Sequence, residues 1–130
     1  MKTFRFKDFQ VYKDAKKLRR TVLKLLQKFP SEEKYRLVDQ IHRSCLSIIL
    51  NIAEGSAKKS DKDFARFLEM GIASTSELIA AFDVALEDRV IMQEDMSLIE
   101  AEAEIVAKQL GSFLKILHKP AIKQPKANSQ

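Results

Sequence analysis

A chain of 130 residues holds one hydrophobic core and is too short for two ordinary domains; its three glycines and three prolines leave few forced breaks in a helix-compatible composition. The single cysteine excludes an intramolecular disulfide, charges interrupt every apolar run short of the ~20 residues of a membrane-crossing helix, and M-K-T-F-R-F-K-D lacks the apolar block of a signal peptide. A cytoplasmic all-α protein is therefore expected, and its net charge of +5 is spread unevenly: residues 1–30 carry ten Lys or Arg against Asp8 and Asp14, while residues 83–107 carry eight carboxylates against Arg89 alone.

The first predicted helix covers about 8–29, where Val11, Ala15, Leu18, Val22, Leu25 and Phe29 recur at steps of four and three. Its other face is cationic: Lys13, Lys17, Arg20, Lys24 and Lys28 follow one another, with Lys16 and Arg19 beside them. Pro30 stops this helix, and Ser31 is expected to cap a second, over about 31–54, with Glu32 and Glu33 in its first turn. Val38, Ile41, Cys45, Ile48 and Ile52 form the second apolar stripe, and Gly55 is expected in the left-handed position just past the helix end.

Ser60, with Asp63 three residues on, opens a third helix over about 61–88, striped by Phe64, Phe67, Gly71, Thr75, Leu78, Phe82 and Ala85. A fourth, over about 94–118, is striped by Met96, Ile99, Ala103, Val106, Leu110, Phe113 and Leu117. Residues 119–130, polar and broken by prolines, are expected to form a flexible basic tail. Four helices joined by short connections predict a single domain over residues 1–118, an antiparallel up-down-up-down four-helix bundle. Further apolar positions, including Leu26, Ile49, Leu50, Leu68, Ile79, Leu86 and Leu114, widen the stripes beyond one seam and point to an oligomer.

Beside the second apolar stripe runs a polar one: Gln40, Ser44, Ser47, Asn51 and Glu54, bordered by Arg43. Antiparallel packing about the turn near residue 58 brings Glu54 to Lys62 or Arg66, Asn51 to Glu69, Ser47 to Ala73 and Arg43 to Glu77. The expectation is a structural polar ladder of Arg43, Ser47, Asn51, Glu54, Arg66, Glu69 and Glu77, in which partly buried groups satisfy one another and Asn51 sets the register.

The segments L-V-D-Q-I-H-R-S-C-L-S-I-I-L-N-I-A-E-G and K-D-F-A-R-F-L-E-M-G-I-A-S-T-S-E-L, in that order after P-S-E-E, resemble the 23S ribosomal RNA intervening-sequence family over most of residues 5–118. That resemblance implies a small four-helix bundle assembled into a cyclic homopentamer. Through the related accessory proteins of diversity-generating retroelements, it also implies a basic, ring-shaped nucleic-acid binder. Ala73 and Ser44 depart from the family pattern, which usually has glycine and alanine there; both replacements are small.

The cationic residues of the first helix, Lys13, Lys16, Lys17, Arg20, Lys24 and Lys28, are the candidate nucleic-acid contacts. With no aromatic residue interleaved among them, they suit RNA or DNA phosphates rather than bases. Catalytic residues, cofactors and metal are not expected. Cys45 lies on the buried stripe, glycine-rich phosphate loops are absent, and Asp39 with His42 lacks the second carboxylate–histidine pair of a di-iron bundle. The alternative to nucleic-acid binding is an assembly module for protein partners, whose cationic face is only solvated.

Overall fold

The structure, a computed structural model, describes residues 3–119, the side chain of Lys34 excepted. The expected tail therefore lies outside the described residues, apart from Lys119, which is exposed. Four helices carry the fold: α1 (Gln10–Leu26), α2 (Asp39–Ser56), α3 (Asp61–Glu87) and α4 (Gln93–His118). The protein is all-α, with no strand among the described residues.

The heptad stripes meet in one core. Leu18, Ile41, Ile48, Ile52, Leu68, Leu78, Phe82, Ile99 and Leu110 are all fully buried, so each helix contributes its apolar face to the same interior. Each such side chain gains roughly 1.5–3 kcal/mol from leaving water. Cys45, only 2% exposed, lies among them, and burial pushes its thiol up to about 11.

Polar pairs on the flanks show how the helices run. On α2 and α3, Gln40 meets Glu77, Ser47 meets Ser74, and Gly55 lies against Phe67, so rising numbers on one helix match falling numbers on the other. At one end of the molecule Phe9 and Phe64, from the starts of α1 and α3, pack on Phe113 near the end of α4, with ring centroids 5.3 and 5.0 Å from the Phe113 ring. Arg5, in a short 3-10 turn ahead of α1, caps this cluster. Its guanidinium lies over the Phe9 and Phe64 rings and donates to the Ser56 carbonyl at the end of α2, at 3.0 and 3.2 Å. At the opposite end Phe29 meets Phe82 edge-on at 6.2 Å.

Two local expectations are corrected. The second helix does not start as α at Ser31: a 3-10 turn (Ser31–Glu33) and a π turn (Lys34–Val38) precede α2. The Glu33 N–H bonds the Pro30 carbonyl at 3.0 Å, tightening the entry, and the wider π turn then brings Leu37 and Ile41 into the core. Ser60, in contrast, caps α3 in the way its spacing predicts, accepting from the Asp63 N–H at 3.1 Å.

Gly55 is the second correction. It lies inside α2, and no described glycine has a positive φ. Its requirement is one of space: a Cβ there would stand 2.8 Å from Phe67 Cβ and 2.9 Å from Phe64 Cδ1. Absence of a side chain lets the end of α2 press on the first turns of α3.

Gly55→Ala should therefore destabilise the fold by about 2 kcal/mol in denaturant melts, because overpacking outweighs the ~1 kcal/mol advantage of alanine in a helix. Cys45 should stay unreactive toward a thiol reagent in native buffer and react fully once the chain is unfolded.

Candidate nucleic-acid interface

The rotation of α1 about its own axis decides where its cations point. Val11, Ala15, Leu18, Val22 and Leu25 are buried, which places Lys13, Lys16, Lys17, Arg20 and Lys24 on the opposite side, all exposed. A second constraint comes from α4. Gln109 Nε2 donates to Asp14 at 2.6 Å, Thr21 Oγ1 donates to Glu102 at 2.7 Å, and Lys28 Nζ bonds Asp95 at 2.8 Å. Each step of seven along the first strand of this ladder is matched by a step of seven back along the second. The helices therefore run antiparallel, and the three rungs fix one edge of α1 against α4.

The ladder sorts the charges of α1. Its one carboxylate, Asp14, is turned to the α4 side, where Gln10 also donates to it at 3.1 Å, and so does not neutralise the outward face. Among the described residues no carboxylate forms an ion pair with Lys13, Lys17, Arg20 or Lys24. Lys16 sits apart from them, its ammonium 4.9 Å from the centre of the Tyr12 ring. Lys28 is the exception to the expected stripe, since it lies just beyond α1 and is taken up by Asp95.

Asp95 has two jobs. Besides Lys28, it accepts from the Met92 N–H at 3.0 Å, closing the first turn of α4. The Lys28 ammonium and that N–H hold its carboxyl below the ordinary carboxylate range. Asp95 and Glu102 are thus partners of the first helical region within the chain.

The residues expected to pair between α2 and α3 are partly rearranged. Glu77 is reached by Gln40 Nε2 at 2.6 Å and not by Arg43, which is exposed without an ion pair among the described residues. Ser47 meets Ser74 at 2.8 Å, while Ala73 is turned outward. Asn51 bends back along its own helix, donating to the Ser47 carbonyl at 2.8 Å and to its hydroxyl at 3.0 Å, so it does not reach Glu69. Arg66 pairs with Asp63 at 3.5 Å, leaving Glu54 and Glu69 exposed. The amide of Asn51 is satisfied by acceptors one turn back in its own helix, as short polar side chains in helices commonly are. Ser44, buried, likewise bonds back to Gln40 and Ile41 carbonyls.

Among the described residues no three of His, Cys, Asp and Glu come together as metal ligands, and no helix is long and apolar enough to cross a membrane. Fold and surface together define a class: a small helical bundle with one unneutralised cationic face. Residues 7–112 match the model of the family described as 23S rRNA-intervening sequence protein, and the chain belongs to that family. No curated protein matches it. Among solved structures it is similar to a protein of unknown function of the S23 ribosomal protein family from Bacteroides thetaiotaomicron. The two share 24% identity and a TM-score of 0.74 over 81% of this chain and 98% of that one, a likeness in fold.

Asp95→Asn should lower stability by about 1 kcal/mol at neutral pH, the scale of a lost helix-start contact. Because folding depresses this carboxyl, its contribution is present above the unfolded value near ~4 and disappears as pH falls through the folded one. Urea melts of the two proteins should therefore differ at pH 7 and converge in acid.

Proposed function

We propose that this protein is a non-catalytic, cytoplasmic, oligomeric binder of nucleic-acid backbone, RNA or DNA, acting through the outward face of α1. The observation that carries this reading is the row of Lys13, Lys17, Arg20 and Lys24, exposed together and without a carboxylate partner among the described residues. Four cations over twelve residues of helix span ~16 Å, close to half of one ~34 Å turn of duplex. Their long, mobile side chains suit phosphates, and no aromatic side chain stands among the four to stack on a base.

The family's name associates its members with an intervening sequence of 23S rRNA, which agrees with a polyanionic partner. The sequence resemblance supports a homopentamer like the accessory proteins of diversity-generating retroelements, in which the cationic row would recur around a ring. Recurrence matters energetically: one helix makes a few phosphate contacts, whereas several copies on one strand act with the effective concentration of a tethered site. A protein-interaction module is the second reading. It draws on half-exposed Leu46, Leu50, Leu98 and Ile105, which suit apolar contact.

Charge reversal of Lys13, Lys17 and Arg20 tests the first reading. Filter binding of mixed RNA and of duplex DNA at two salt concentrations should show steep salt dependence for the parent, about 0.9 logarithmic units per duplex phosphate contact. The triple variant should lose at least tenfold in affinity at low salt while keeping its helical circular dichroism. Equal binding by both proteins would leave the interaction module as the better account.

A further inference from the structure

Two partly apolar surfaces of the protein are unoccupied within a single chain. The first is the outer side of α2. Leu46 and Leu50 stand one turn apart there, 45% and 52% exposed, with Arg43 on one side of the pair and Glu54 on the other. The second is a groove of about 870 Å³ between α3 and α4. Small side chains make it, including Ala80, Ala101 and Ala107, over a floor that includes Ile79 and Met96. Asp83, Glu100 and Glu104 give its lining a single sign of charge.

We propose that the α2 ridge of one copy of this chain docks into the α3–α4 groove of a second copy, the leucines over the alanines. This rests on the oligomeric reading above and assigns its interface. The lengths agree: Arg43 to Glu54 and Met96 to Ala107 are each twelve residues of helix, a rise of ~16 Å from first to last. Charge sets the direction. With Arg43 at the Asp83–Glu100 end, Glu54 arrives at the other end beside Lys108, an exposed ammonium whose nearest carboxylate, Glu104, is 3.9 Å away.

That direction makes the incoming α2 parallel to the receiving α4. Within one chain α2 and α4 already point the same way, since α4 is antiparallel to α1 through the heptad ladder and the end of α2 meets the residues that precede α1. Both copies consequently keep the same helix direction, as they must when related by rotation about an axis parallel to the bundle. Ridge and groove lie on different faces, so the contact is head to tail and closes into a ring when the rotation allows. The cations of α1 belong to neither surface and stay outside the contact.

The test combines sedimentation equilibrium with circular dichroism on the full chain. Leu50→Glu and Arg43→Glu should each reduce the parent oligomer to the mass of one chain without loss of helicity, since both positions are exposed in the monomer. Arg43→Glu combined with Glu100→Arg should restore the parent mass. An unchanged oligomer in Leu50→Glu, or no recovery in the combined variant, overturns this docking and leaves the oligomeric reading standing. A parent already at single-chain mass overturns both.

Discussion

The α1–α4 ladder is the constraint on which the surface of this protein depends. Apolar burial alone holds α1 to the bundle but tolerates rotation, because a helix with a broad apolar stripe can turn by tens of degrees and still bury most of it. The rungs at Asp14, Thr21 and Lys28 remove that freedom along one edge. They also consume Asp14, the one acid that would otherwise dilute the cationic face. What faces solvent is thus decided by which polar groups are satisfied internally.

The same logic explains why the protein can carry such uneven charge without an obvious penalty. Its basic beginning and acidic later region are brought side by side by the antiparallel fold, so the field of one offsets the other at a range of several ångström. Only Lys28 and Asp95 form an ion pair between them among the described residues. Lys13, Lys17, Arg20 and Lys24 form no ion pair among the described residues, and a surface ion pair would in any case contribute little. Cations left unpaired are free to exchange small counterions for a polymer's phosphates.

The core was legible in the sequence because burial imposes a period. Val11 to Leu25, Ile41 to Ile52, Phe64 to Ala85 and Met96 to Leu110 recur at steps of three and four, and the structure buries them together, Phe67 only in part. Partners across helices were not legible to the same degree. Asn51 had acceptors in its own helix, and Gln40, one turn before Arg43, reached Glu77 first. Gly55 shows another limit, since a glycine near a helix end satisfies a left-handed cap and a close helix contact equally well, and only packing separates them. The α1–α4 ladder did leave a trace that can be sought elsewhere: two polar series at steps of seven, with complementary donors and acceptors, on helices of opposite direction.

The two ends of the bundle are built differently. Where α1 begins, three phenylalanine rings and the Arg5 guanidinium join the ends of all four helices. At the far end α2 is entered through a 3-10 turn and a π turn, in which Tyr35 and Arg36 are exposed. Backbone amides in such irregular turns open with less loss of packing than those of the central helices. Deuterium uptake would accordingly enter from the far end and spread inward, and an endoprotease would find its first scissile bond there, while the aromatic end remained closed.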